Sequence, residues 1–308
     1  MDRFSDLEAF VAVVDTGSFS AAGERLGIAK SVVSRRVSRL EQRLGSRLLV
    51  RTTRRLSQTD AGRHFHARAV RLLADLDDAE QSVADETAEL RGSIRLAAPL
   101  SFGIRYLAAD VAEFLRQYPA IDLTMDLNDR HVNLVEEGFD MAVRIGDLPD
   151  STLVARQLGI VRSVTCASKA YLQRHGEPAH PDDLGEHEGL QYSNITTRQQ
   201  WCFLDAAGSR LYAQPRIRLR ANNGEALATA AIAGLGISSG PTFILGVYIR
   251  RGELTCLLTD YPKPQTAIHG IYPPGRLTPA RVRVFSDFLA ARYGDAPPWD
   301  EGLPCCSR

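Results

Sequence analysis

The chain has 308 residues, 44% of them hydrophobic and 24% charged, and its 37 Lys and Arg balance 37 Asp and Glu to a formal net charge of zero. That length predicts more than one domain, one of them large enough to bury a full core, and the composition is that of an ordinary soluble globular protein. A membrane span is excluded, because the longest apolar run, about 226–237, is broken by Gly and Thr and falls short of the roughly 20 residues a span needs.

Neutrality conceals an uneven distribution. Between 25 and 55, ten cations (Arg25, Lys30, Arg35, Arg36, Arg39, Arg43, Arg47, Arg51, Arg54, Arg55) stand against Glu41 alone, whereas 61–91 carries four cations against seven carboxylates. A basic head on an acidic stalk marks the head as the contact with a polyanion. Residues 1–17 hold Asp2, Asp6, Glu8 and Asp15 and do not read as a secretory leader, so a cytoplasmic protein is expected. The cysteines (Cys166, Cys202, Cys256, Cys305, Cys306) form no C-x-x-C pair and no His/Cys cluster at zinc spacing. They read as buried or stray thiols, with vicinal Cys305-Cys306 incidental in a Pro/Gly-rich tail. No metal or other cofactor is expected.

In chain order, Phe4, Leu7, Phe10, Val11 and Val14 have helical spacing and predict a first helix ending near Gly17. Ser20 is the expected N-cap of a second helix that buries Ala21, Ala22 and Leu26 and stops at Gly27. A third helix buries Val33, Val37, Leu40 and Leu44 and closes at Gly45, leaving Ser34, Arg35, Ser38 and Arg39 on its other faces. Two short helices joined by a tight turn, the second crowded with cations, are the layout of a helix-turn-helix that sets a helix in the major groove of DNA. Residues 47–50 and 56–58 predict a two-stranded wing with Arg51, Arg54 and Arg55 at or near its tip. Thr59-Asp60 then caps a helix to about Leu90. Its stripe of Phe65, Ala69, Leu72, Leu73, Leu76, Ala79 and Val83 has little to cover it except a second copy, with packing on its own chain the alternative. Leu90-Arg91-Gly92-Ser93 reads as a hinge.

From Ile94 the pattern changes to strands at about 94–98, 121–125, 141–144, 164–166 and 236–239, with helices at about 103–117, 130–138, 169–174, 224–234 and 278–293. The alternation predicts an α/β region of parallel sheet units, long enough for two subdomains with a cleft between them.

The segment from Ser18 to Gly62 carries Ser18-Phe19, Ala21-Ala22, Leu26-Gly27, Ser34-Arg35, Leu40-Glu41, Leu44-Gly45, Leu48-Leu49, Arg51 and Thr59-Asp60-Ala61-Gly62. It resembles, almost throughout, the N-terminal domain of LysR-type transcriptional regulators. Ala98-Pro99-Leu100-Ser101-Phe102-Gly103, the run from Leu134 to Gly146, and Gly234-Leu235-Gly236-Ile237 are similar to that family's effector-binding domain, so the likeness covers about 1–293. It implies a winged helix-turn-helix at 1–59 and a linker and dimerisation helix at 60–91. At 92–293 it implies an effector-binding domain of two α/β subdomains resembling periplasmic binding proteins, with 294–308 a flexible tail. Two departures stand out. Ala29 replaces the Ser or Thr that many members carry before the recognition helix, so that cap is missing or supplied by Ser31. Ser238-Ser239-Gly240-Pro241 makes one corner of the cleft more polar.

On DNA, Ser31, Val32, Ser34, Arg35 and Arg36 are the expected readers: Arg fits guanine with two hydrogen bonds, Ser reaches phosphate or base, and Val touches a thymine methyl. Arg51, Arg54 and Arg55 suit phosphates or a narrow minor groove. Singly each Arg reads as a solvated surface charge; the set, at this spacing, reads as DNA contact. Arg25 and Arg43 stand between backbone contact and a salt bridge to Glu24 or Glu41. Ser101 and Phe102 lie where a strand gives way to a helix, whose free N–H groups suit an anion such as a carboxylate, or Ser101 merely caps the helix. Asn222 and Asn223 form a second such junction. Arg144 and Gly146 would line the floor, or Arg144 would hold the hinge. Ser193, Asn194, Thr196 and Trp201 are further ligand candidates, as is Ser238; His131 and His269 read as ordinary surface or packed histidines.

These readings describe a regulator that is expected to bind double-stranded promoter DNA as a homodimer or homotetramer, to respond to a small-molecule effector with an anionic group, and to act on RNA polymerase. A solute-binding protein fits neither the basic head nor the missing leader. No nucleophile–base pair, Gly-rich phosphate loop or metal motif points to an enzyme.

Overall fold

The computed structural model describes residues 2–51, 56–83, 90–130, 132–146, 154–194, 200–274, 278–303 and 305. The chain divides into two units, Met1–Glu89 and Leu90–Arg308. In the first, α1 (Arg3–Thr16) starts where Asp2 accepts the Phe4 N–H at 3.0 Å. The second helix, α2 (Phe19–Leu26), is capped by Ser18, which accepts from Ser20 and Ala21. The expectation of Ser20 is corrected: Ser18 has the extended backbone a cap requires, and Ser20 falls inside the first turn because Phe19 packs against the core. α2 ends at Gly27 in the left-handed conformation, φ 65°. The turn that follows is tight enough that a Cβ on Gly23 would meet Ile28 O at 2.7 Å. Ala29 then starts α3 (Lys30–Leu44) with no side chain capping it, so Ser31 does not supply the cap.

Leu7, Phe10, Val13, Ala22, Val33, Val37 and Leu40 form one core with Leu48 and Leu49. Asp6, only 1% exposed, lies between α1 and α3, where Arg39 grips it with Nε at 3.0 Å and with Nη2, and Arg43 reaches it at 3.4 Å. Glu41 accepts the Leu48 and Leu49 N–H groups at 2.8 and 3.0 Å and so fixes the start of the wing. There β1 (Leu49–Arg51) pairs antiparallel with β2 (Leu56–Gln58).

Thr59 caps α4 (Asp60–Val83), accepting the Gly62 N–H at 2.9 Å. The apolar stripe divides. Phe65, Ala69 and Leu73 pack on the head itself, with Phe65 5.7 Å from Phe10, whereas Leu72 stays 51% exposed. The stripe's first turns therefore need no second copy. Ala79 and Val83 have side chains outside the described residues.

The second unit begins with β3 (Gly92–Ala98), so Gly92 and Ser93 belong to a strand rather than to a hinge. Next come α5 (Leu100–Phe102), a π-helical turn at 103–107 and α6 (Ala108–Gln117), which run as one helix. It starts at Leu100, earlier than its apolar spacing implies, because Pro99 takes the cap position at φ −61°. The chain continues through β4 (Ile121–Leu127), α7 (Leu134–Glu137), β5 (Met141–Ile145), β6 (Val154–Val161), β7 (Ser163–Ala167), α8 (Lys169–His175) and β8 (Glu188–Tyr192). The hairpin β9 (Trp201–Leu204) and β10 (Arg210–Ala213) precedes β11 (Arg216–Ala221), α9 (Gly224–Ile232) and β12 (Ile237–Pro241). Then follow α10 (Thr242–Arg250), β13 (Thr255–Leu257), β14 (Thr266–Tyr272) and α11 (Ala280–Tyr293).

Two five-stranded sheets result, in the orders β4-β3-β5-β14-β6 and β11-β8-β12-β7-β13. Each defines a subdomain, and the chain passes from the first to the second at Arg162 and returns before β14. The sheets are mixed, not parallel. In the first, β3 pairs parallel with β4 and β5, while β14, the returning strand, runs antiparallel to β5 and β6. In the second, β7 runs antiparallel to β12 and β13.

The segment after α11 is not a flexible tail through Leu303. Trp299, 1% exposed, inserts among Phe102, Tyr106, Phe243 and Tyr293, with ring centroids 5.0–6.3 Å apart. Asp300 pairs with Arg162 at 2.6 Å, Arg250 donates to the Trp299 and Glu301 carbonyls, and Leu303 is buried. The thiols are also corrected: Cys256 on β13 and Cys305 are paired as a disulfide, with Cα atoms 6.5 Å apart. Sequence spacing does not announce the pair: Cys305 adjoins Cys306 in the chain, Cys256 lies opposite Cys166 across the sheet, and the two partners meet through the docking of a chain end 49 residues away.

Candidate nucleic-acid interface and ligand cavity

On α3 the buried row Val33, Val37 and Leu40 turns the remaining faces outward. Ser31 and Arg35 are exposed, and Val32, Ser34 and Arg36 are half-buried. All five expected readers therefore lie off the core side of one helix. Lys30 and Arg35 form no ion pair among the described residues. Arg25 and Arg43 leave the DNA set, but not for the partners expected. Arg25 pairs with Asp15 at 3.1 Å and Arg43 with Asp6; both acids come from α1, which the spacing of α2 and α3 alone does not bring near. Arg51 belongs to β1, but its side chain, like Arg54 and Arg55 entirely, is outside the described residues.

In the second unit a cavity of about 560 Å³ is lined by Leu100, Leu127, Asn128, Asp129, Arg130, Ser193, Asn194, Asn222 and Asn223. It joins the two subdomains at the pair of strand-to-helix junctions. Asn223 caps α9, accepting the Glu225 N–H at 2.9 Å and the Ala226 N–H at 3.2 Å, and its amide donates across to Ser101 Oγ at 3.5 Å. Ser101 is not a cap; Pro99 holds that position. Asn194 donates to the Asp129 carbonyl at 3.0 Å.

The N-terminus of α5 already binds a carboxylate, its own chain's: Asp129 Oδ1 accepts the Leu100 N–H at 3.0 Å. This is the geometry expected of an anion at a helix start. Nearby, Arg130 holds Glu137 at 2.8 Å, and with the Asn133 N–H it drives the Glu137 carboxyl down to about 2. Burial, reinforced by the charge of Asp129, pushes the Tyr192 phenol up to about 12. Burial also lowers the pKa of Arg144, which Asp129 partly opposes, so its guanidinium shares the same acidic neighbourhood.

Beyond the cavity, Arg105 of the π-helical turn grips Glu225 of α9 with two bonds of 2.6 and 2.7 Å, and Tyr248 of α10 adds its hydroxyl at 3.3 Å. This cluster links the two subdomains. The Glu225 contact holds the Arg105 pKa above its usual value against the effect of burial.

Of the expected ligand residues, the structure thus gathers Asn194, Asn222 and Asn223, with Ser193, and brings Ser101 to them through one hydrogen bond. It does not gather Phe102, which is fully buried in the aromatic cluster around Trp299, or Ser238, buried in β12. Gly146 follows β5, donating its N–H to Ala267 O at 3.1 Å, and does not line the cavity. Trp201 is buried, its indole N–H on Gln191. His269 sits opposite Arg144 on β14 and is not a lining residue. Thr196 and His131 lie outside the described residues. Asn128, Asp129 and Arg130 were missed. Their signal was weak: a polar Asn-Asp-Arg turn directly after a strand, at the carboxyl end where ligands bind in α/β sheets.

A basic recognition helix in a winged helix-turn-helix, with a two-subdomain α/β unit holding a polar cavity, defines a DNA-binding regulator governed by a ligand-binding domain. The models of two families match: bacterial regulatory helix-turn-helix protein, lysR family, over residues 4–63, and LysR substrate binding domain over 87–294. The chain belongs to the LysR family of transcriptional regulators. It is 38% identical to the transcriptional regulator PtxR of Pseudomonas aeruginosa, covering 96% of this chain and 94% of that one. It is 36% identical to an HTH-type transcriptional regulator of Haemophilus influenzae over 92% and 98% of the two chains. Among solved structures it is similar to CrgA of Neisseria meningitidis, at 35% identity, a TM-score of 0.58 and coverage of 93% and 97%. It also resembles the full-length virulence activator AphB of Vibrio cholerae, at 28% identity, a TM-score of 0.57 and coverage of 95% and 100%. The protein is a regulator and not an enzyme, and among the described residues no helix is long and apolar enough to cross a membrane.

Proposed function

We propose that the protein binds an operator in double-stranded promoter DNA as a homo-oligomer, and that a small effector with an anionic group, docked in the asparagine-lined cavity, changes how it engages that site. Ser31, Val32, Ser34, Arg35 and Arg36 read base edges in the major groove, and Arg51, Arg54 and Arg55 contact phosphates or the adjoining minor groove. Two copies present two recognition helices to inverted half-sites, and the exposed Leu72 face of α4 suits their pairing. RNA polymerase is the downstream partner.

The observation that carries the effector reading is Asp129 on the Leu100 N–H. A site that holds an internal carboxylate accepts a ligand's carboxylate in the same place. The amides of Asn128, Asn194, Asn222 and Asn223 supply neutral donors and acceptors around it, and the displaced Asp129 stays beside Arg144. The Arg105–Glu225 pair, which spans the subdomains, resists opening once the ligand is in. Such a ligand shifts the population only by its difference in affinity for the two arrangements.

The test is calorimetric titration of the purified protein with small carboxylates and their neutral amides. Carboxylates are expected to bind, amides to bind at least tenfold more weakly, and Asp129→Asn to tighten the carboxylates by removing the competitor. Equal binding of acid and amide in both proteins would overturn the anionic reading.

A further inference from the structure

We propose that residues 294–303, together with Cys305, form a redox-controlled strap across the two subdomains, locked when Cys256 and Cys305 are oxidised to a disulfide and released when they are reduced. The inference goes beyond effector control and rests on the chain end, which lies past residue 294, where the family match stops.

Each contact of the strap has a distinct place. Gly294 bridges to Gly159 on β6 in the first subdomain. Trp299 then enters a cluster drawn from both subdomains: Phe102 and Tyr106 on the helix that begins at the cavity, and Phe243 on α10. Asp300 pairs with Arg162, the residue at which the chain crosses from the first sheet to the second. Leu303 packs beneath α10 against Gly246. The disulfide to β13 of the second sheet ends the series. The strap thus spans a chain crossing, and its indole touches the helix whose first residues line the cavity.

The docking is incomplete without the covalent anchor. Trp299 Nε1 and Asp300 Oδ1 are buried with no hydrogen-bond partner among the described residues, and burying polar groups unpaired favours release. Both cysteines are only partly buried, so small thiols and disulfides can reach them. By contrast, Cys166 is sealed in the core, where burial pushes its thiol up to about 12. A protein that works on promoter DNA meets the reducing conditions under which disulfides are transient and sensing rather than structural.

The chemistry balances with a low-molecular-weight disulfide as oxidant. The Cys305 thiolate attacks one sulfur of the small disulfide, whose S–S bond breaks, and the departing thiolate takes a proton. The Cys256 thiolate then attacks the Cys305 sulfur of the mixed disulfide and expels the second small thiol. Two protein thiols are oxidised to one disulfide, and one small disulfide is reduced to two thiols; excess small thiol reverses both steps.

The experiment equilibrates the full chain in glutathione buffers from fully reduced to fully oxidised. Peptide mapping without reductant follows the bond, and hydrogen exchange follows residues 100–107 and 294–303. We expect a Cys256–Cys305 linked peptide in oxidised protein, still formed by Cys306→Ser. We expect amides in both segments to exchange at least tenfold faster in reduced protein and in Cys256→Ser, with the β9–β10 hairpin unchanged. Failure of the linked peptide to form, or its formation with identical exchange in the two redox states of the unmutated chain, would overturn the proposal.

Discussion

In the head, five expected DNA readers come from six consecutive positions of one helix, Ser31 to Arg36, and the residues beneath them are three apolar side chains of that same helix. In the regulatory domain the cavity takes Leu100, the Asn128–Arg130 turn, Ser193–Asn194 and Asn222–Asn223, which meet only after two sheets have formed and the chain has crossed between them. A helix face is written in short-range spacing. A cavity is written in strand order and register, which spacing does not carry. The two units therefore differ less in chemistry than in how far apart in the chain their chemistry is stored.

The largest expected effect tests whether the units are independent. Phe10 is fully buried in the head, against Phe65 of α4. Phe10→Ala should destabilise the head by about 3–5 kcal/mol and leave the regulatory domain's unfolding transition in place, as followed by scanning calorimetry. Both transitions falling together would mean that the comparison divides the molecule wrongly.

Arg35→Ala should come next. Losing one bidentate base contact costs about 1–3 kcal/mol, roughly fivefold to more than a hundredfold in operator affinity. Binding to unrelated duplex should change little. Fluorescence anisotropy on both DNAs separates the cases, and an equal loss on each would reduce Arg35 to a phosphate contact.

The smallest effect sharpens the regulatory side. The Glu137 carboxyl lies at about 2 against an ordinary 4.5, lowered by Arg130 and then by the Asn133 N–H. Because the folded value is the lower one, its contribution to stability is present above about pH 4.5 and lost as pH falls toward about 2. Glu137→Gln should flatten that acid limb of the regulatory domain's melting temperature, measured across the same window, and leave the head's unchanged.

The legibility of the sequence follows the same division. The head's helices and wing strands were readable from apolar periodicity and terminal glycines. The exceptions were the cap of α2, which is Ser18 and not Ser20, and the partners of Arg25 and Arg43, because Asp15 and Asp6 belong to a helix outside the motif. In the regulatory domain, Asn194, Asn222 and Asn223 were legible as polar residues at strand ends. Ser238 and Phe102 do not line the cavity, because Ser238 is buried in β12 and Phe102 packs in the aromatic cluster around Trp299. The mixed sheets were not legible either: β14 joins β5 only after the second subdomain has been completed, and its Gly and His interrupt the apolar pattern. The docked chain end escaped for a related reason, since Trp299 finds its cluster through Phe102, Tyr106 and Phe243, which lie far from it in sequence, and only Tyr293 is close by.

The most direct test of sequence-specific binding through α3 is affinity selection of genomic fragments by the full-length protein and by Arg35→Ala, each at two salt concentrations. The account predicts that the unmutated protein enriches a few promoter fragments sharing an imperfect palindrome, with binding that weakens steeply as salt rises, and that the variant loses this enrichment. Selection of the same fragments by both proteins, or no enrichment over bulk DNA by either, would contradict it.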